Sequence, residues 1–130
     1  MAVCWSNYKT LFIDSVMDFS LDQEDLASYY SLYNDLMNFW LTKYDDKILN
    51  IYYEDFVKDF ELHTKKILLF LNLDWEEHLK YYEKSDRVVT TASFEQVRNK
   101  IKKDTSKQWE KFSDYLEPMQ KILNSNKIKF

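Results

Sequence analysis

No glycine occurs in the 130 residues of this chain, and proline occurs once. Glycine turns a backbone through left-handed conformations and lets it approach a ligand closely. Phosphate loops of the Walker and dinucleotide kinds depend on both properties, so no segment here can form one. If the chain touches a nucleotide, side chains and helix ends do the touching, and any glycine-bearing loop lies elsewhere. Where a helix stops on a left-handed residue, asparagine is second best to glycine, and Asn72 after "ILLFL" stands at such a place.

The length allows one domain at most, and a chain of this size buries roughly two-thirds of its surface. Hydrophobic residues make up 45% and aromatic residues 18% of it, which argues a folded globule and not a disordered chain. A net charge of −4 argues against general nucleic-acid binding. Arg87 and Arg98 are the two arginines among 18 basic residues, so each stands out. Cys4 is the single cysteine; it excludes an internal disulfide, suits a reducing compartment, and in "AVCW" reads as a buried small hydrophobe. The N-terminus has no signal-peptide pattern. The longest apolar run, "ILLFL", is far short of a membrane span. A cytoplasmic, soluble protein with no membrane partner is expected.

Residues 3–19 read as a helix with a ragged end, on apolar Val3, Leu11, Phe12, Val16 and Phe19. Ser20 and Gln23 then form a capping-box spacing. A long helix follows, striped by Leu26, Tyr29, Tyr30, Tyr33, Leu36, Met37 and Trp40. The pattern breaks at Asp45 and Asp46. Residues 47–53, "KILNIYY", alternate and are β-branched or aromatic, which predicts a strand. A lone strand is not stable, so it pairs with a second copy or with strands outside these residues. Val57, Phe60, Thr64, Ile67, Leu68 and Leu71 stripe another helix, with Asp59 as a cap, and Asp74 and Glu77 open a short one. Pro118 marks the start of a last helix, "PMQKILN".

Few constellations carry chemistry. His63 and His78 lack metal-ligand spacing, and no metal is expected. Glu54 and Asp55 follow the expected strand, where a general base could sit, but helix-start acids favoured by the dipole explain them equally well. The segment 88–101, "VVTTASFEQVRNKI", is donor-rich. Its Ser93 and Gln96 repeat the capping-box spacing, which is the plain reading. The sharper reading is an anion cradle made of the Ser93 hydroxyl, free N–H groups and the Arg98 fork. The two are compatible.

Several stretches together resemble one family. "ILNIYYEDFVKDFELHTKKILLFLNLDW" and "VTTASFEQVRNKIKKDTSKQWEKFSDYLEPM" resemble the C-terminal motifs of sulfotransferases dependent on 3′-phosphoadenylyl sulfate (PAPS). The resemblance is to the bacterial, tetratricopeptide-linked kind similar to tyrosylprotein sulfotransferases. "EDLASYYSLYNDLMNFW" resembles that family's long central helix, and "AVCWSNY" a segment just before it. The resemblance implies a mainly α chain within an α/β P-loop-type sulfotransferase fold, truncated, with about one parallel-sheet strand at 47–53. Residues 1–130 would be a single partial domain, the C-terminal half, begun at an internal methionine.

It further implies transfer of a sulfuryl group from PAPS to an unidentified acceptor hydroxyl or amine. Ser6 matches the family's 3′-phosphate-binding serine, and Tyr53 the tyrosine that contacts the cofactor. Ser93, Gln96, Val97 and Arg98 match the segment that wraps the 3′-phosphate end, and Lys107 stands nearest the family's basic residue before Trp109. No catalytic residue is carried over, because the glycine-bearing loop and the catalytic base have no match here, and the isolated chain is expected to be inactive. Asn72, Asp74 and Lys100 depart from the family's Gly, Pro and Pro. The rival reading, from the residues alone, is a non-catalytic helical module that dimerises through its orphan strand and exposed aromatics.

Overall fold

The computed structural model describes residues 1–12, 15–84 and 105–130. They form five α-helices, α1 (Ala2–Tyr8), α2 (Gln23–Lys43), α3 (Tyr53–Lys58), α4 (Phe60–Phe70) and α5 (Glu117–Ser125), with 3₁₀ segments at Ser15–Leu21, Glu77–Lys84 and Thr105–Leu116. The chain divides into two compact units: Met1–Ile48 with Ser106–Phe130, and Leu49–Thr105.

The first unit is built around α2. Its N-cap is Asp22, whose carboxylate accepts from the N–H groups of Glu24 (2.8 Å) and Asp25 (3.0 Å). Glu24 and Asp25 in the first turn and Lys43 in the last all oppose the helix dipole favourably. Asp22 takes the place expected for Ser20. Ser20 instead ends up in the 3₁₀ segment, 1% exposed, its hydroxyl without a hydrogen-bond partner. A carboxylate in extended backbone is the stronger acceptor for orphan N–H groups, and here it wins over the serine two residues earlier. The helix expected over 3–19 is also divided, into α1 and Ser15–Leu21.

α2 packs against α5, α1 and Ser15–Leu21. The core between them is Met1, Cys4, Leu26, Ala27, Leu116, Met119 and Leu123, with Trp5, Phe19, Tyr30, Trp109, Ile122 and Ile128 against it. Buried Ser31 satisfies its hydroxyl by donating to the Ala27 carbonyl at 2.8 Å. α5 carries Pro118 in its first turn, as expected, and stops on Lys127 with φ 58°. There Lys127 N–H donates to Asn124 O (2.9 Å) and Ile128 N–H to Leu123 O (3.0 Å), the paired bonds of a Schellman stop.

The second unit is held differently. Asp59 caps α4 by accepting from Leu62 N–H at 3.0 Å, so the expected cap is found. It also separates α3 from α4, which leaves Val57 on the shorter helix. α4 ends as the sequence suggests: Asn72 has φ 56°, its N–H donates to Leu69 O (3.1 Å), and Leu73 N–H donates to Leu68 O (2.8 Å). With no glycine available, both left-handed stops in the described residues fall on residues with a Cβ, at a cost of about 1 kcal/mol each. Phe56, Phe60 and Tyr82 form a small ring cluster, with centroids 5.2 and 5.0 Å apart. No described residue of this unit is fully buried.

The strand expected at 47–53 does not form, and no strand exists among the described residues. Residues 45–47 are a turn, 48–52 are irregular, and Tyr53 already opens α3. Alternating Ile and Tyr favour a pleated, half-buried surface, but a strand exists only by pairing. The described residues offer it no partner strand.

Candidate functional site

α1 is a seven-residue helix, and its sequence alternates what it buries with what it shows. Cys4 is wholly buried, while Ser6 on the same helix is exposed. Burial pushes the Cys4 thiol pKa up, against smaller lowering effects from the chain's N-terminal amine and the residue's own backbone. It is therefore packing, as its apolar surroundings suggested, and not a nucleophile.

Lysines lie on the same unit as Ser6. Lys9, three residues on, holds its ammonium 5.1 Å from the centre of the Trp5 ring. Phe112 stacks on the same ring at 4.8 Å. Phe112 lies on Thr105–Leu116, the segment that also presents exposed Lys107. Ser6 and Lys107 thus sit in one unit, on two elements joined by the Trp5–Phe112 stack. Thr10 donates its hydroxyl to the Ser6 carbonyl at 2.9 Å, and Ser6 itself is half-buried. Hydroxyl and ammonium groups are the side-chain types that suit an anionic oxygen ligand such as phosphate. The sequence pointed to Ser6 and Lys107 but not to Lys9. Its i,i+3 spacing from Ser6 on a helix was the available signal.

Tyr53 belongs to the second unit, where it is the first residue of α3 and 53% exposed. Glu54 and Asp55 follow in the first turn, and Asp55 pairs with Lys58 at 3.2 Å. That geometry matches helix-start acids, the plainer of their two readings. Ser93, Gln96, Val97 and Arg98 lie outside the described residues.

The same unit carries a charged network that the sequence reading did not anticipate. Glu61 accepts from Lys65 at 2.6 Å and faces Lys80 at 3.7 Å, while Lys80 reaches Glu77 at 2.9 Å. Trp75 donates its indole N–H to Glu77 at 3.1 Å. Both lysines lie over the Trp75 ring, at 5.1 and 5.9 Å. The hydrogen bond from Lys65 holds the Glu61 pKa below the ordinary glutamate value, and bonds from Lys80 and Trp75 do the same for Glu77. The Glu77 bond raises that of Lys80. Each charge has its counter-charge, so the network ties Glu77–Lys84 to α4 and leaves no free acid or base. His78 pairs with Glu76 at 3.1 Å, both exposed. Among the described residues no cluster of three His, Cys, Asp or Glu could hold a metal ion. No described helix is long and apolar enough to cross a membrane.

Comparison with known proteins gives these positions a context. A family model described as "Sulfotransferase family" matches residues 1–77. The matched span contains Ser6 and Tyr53 and ends before Ser93 and Lys107. An uncharacterized protein of Aquifex aeolicus (strain VF5) is 28% identical over 123 residues, covering 93% of this chain. The chain spans 16% of the length of that curated relative. No solved structure matches.

Proposed function

The chain belongs to the sulfotransferase family, and from that premise we propose that it supplies the 3′-phosphate and adenosine side of a site for PAPS. Ser6, Lys107 and Lys9 bind the 3′-phosphate. Tyr53 contacts the nucleotide, and Ser93, Gln96, Val97 and Arg98 close over it. Such a donor, when bound, offers its sulfuryl group to an acceptor hydroxyl or amine. The residues of this chain hold and orient the nucleotide; they do not handle the sulfate. The single observation that carries this reading is the family match across α1, α2 and α4, with Ser6 exposed on the first of them.

The absence of glycine defines the division of labour. A glycine-bearing 5′-phosphosulfate loop needs residues that these 130 do not contain, and the resemblance of its motifs to the C-terminal ones of the family leads us to read the chain as the C-terminal half of a sulfotransferase domain. It binds nucleotide and does not turn over by itself.

Calorimetric titration tests the assignment. Adenosine 3′,5′-bisphosphate is expected to bind, and adenosine 5′-monophosphate, which lacks the 3′-phosphate, to bind about tenfold or more weakly. Ser6→Ala should erase most of that difference, because one charge-assisted hydrogen bond is worth about 1.5–3 kcal/mol. Equal affinity for the two nucleotides, or none for either, would overturn the reading.

A further inference from the structure

α2 is apolar on two sides. One side, around Leu26, Ala27 and Ser31, is sealed in the core. The other runs through Tyr29, Leu32, Leu36 and Phe39, which are 54, 69, 54 and 52% exposed. Tyr33 and Trp40 flank it, and Tyr29, Leu32, Tyr33 and Leu36 line an open groove of about 210 Å³. A helix apolar on both faces is one that is covered on both faces.

The spacing of this second face is informative. Asp25, Tyr29, Leu32, Leu36, Phe39 and Lys43 follow one another at four, three, four, three and four residues. That is the seam of a coiled coil, apolar inside and charged at its two ends. It is also symmetric: Asp25 and Lys43, Tyr29 and Phe39, Leu32 and Leu36 are each equidistant from position 34. We infer that α2 pairs antiparallel with α2 of a second copy of this chain, about a two-fold axis at Asn34.

In that register Leu32 meets Leu36 of the second copy, Tyr29 meets Phe39, and Asp25 meets Lys43. A parallel pairing would set Asp25 against Asp25 and Lys43 against Lys43, so charge selects the antiparallel form. Lys43 is already drawn along the seam, its ammonium 5.6 Å from the Phe39 ring centre. Six half-exposed apolar side chains offer about 600 Å² per copy, so a pair buries about 1,200 Å², the lower bound of a stable interface. The arrangement is isologous and closes on itself, giving a dimer and not a filament.

Sedimentation equilibrium on the full chain tests it. The expected mass is twice 15.9 kDa at roughly micromolar loading. Leu36→Glu disturbs two symmetry-related layers at once and should raise the dissociation constant about a hundredfold. Its circular dichroism should not change, since Leu36 lies outside the core. Asp25→Lys or Lys43→Glu alone should weaken the dimer about tenfold, and the two together should restore it. A monomer at every concentration overturns the proposal. So does a dimer indifferent to Leu36→Glu, or a charge reversal that the second substitution fails to rescue.

Discussion

The two units of this chain are held by different physics. The first excludes water from seven apolar side chains drawn from segments as distant in sequence as Met1 and Leu123. Among the described residues of the second none is so enclosed; they rely on a capped helix, a left-handed stop on Asn72, a ring cluster and a surface charge network. Burial of apolar area is the larger and more cooperative term, whereas a cap contributes about 1 kcal/mol and exposed ion pairs little. A mutation should therefore report which unit it is in by what it costs.

The largest effect is expected from the first unit. Leu123→Ala, at a position with no exposed surface, should cost about 3 kcal/mol in amide-exchange or denaturant measurements. Leu69→Ala, on α4 and 82% exposed, should cost less than about 0.5 kcal/mol. Equal costs would mean that the second unit has a core after all.

A middle-sized effect inverts the usual ranking within the second unit. Asp59→Ala removes the cap on Leu62 N–H and should cost about 1 kcal/mol, more than deleting the Leu69 side chain. Amide exchange along α4 reads this directly. A smaller loss than that of Leu69→Ala would break the idea that local bonds hold this unit.

The smallest effect is the dependence of the second unit on pH. Glu61 and Glu77 have depressed pKa values, so their contribution is present above the ordinary glutamate value and lost as pH falls through the lowered one. Lys80 is raised, so its share is present below the ordinary lysine value and lost as pH rises through the raised one. The network is thus intact across neutral pH and dissolves at both extremes. Carboxyl-carbon NMR titration should give Glu61 and Glu77 midpoints below the ordinary value, and Lys65→Ala should return Glu61 toward it.

Much of this contrast was legible in the sequence wherever the signal was local. The Asp59 cap, the stop at Asn72, Pro118 in the first turn of α5 and the apolar stripe of α2 each depend on a few neighbouring residues. The expectations that missed required something distant. The strand at 47–53 had the right residues and no partner strand among the described residues. Ser20 had the right spacing, but packing buried it and Asp22 took the cap. The stripe along α2 announced a helix without revealing that Leu26 would be sealed and Leu36 left open, because only the docking of α5 decides which face is inner. Ser6 and Lys107 could be named from family motifs, yet their sharing one unit rests on contacts between residues about a hundred apart in sequence, among them the Trp5–Phe112 stack and the burial of Leu116 with Cys4.

The sealing of Cys4 carries its own consequence. As the sole sulfhydryl of the chain, it is withheld from oxidants and alkylating reagents for as long as α1, α2 and α5 stay together. Its reactivity therefore keeps time with the breathing of that three-helix assembly, and the residue serves as a built-in clock for how often the interior of the first unit parts.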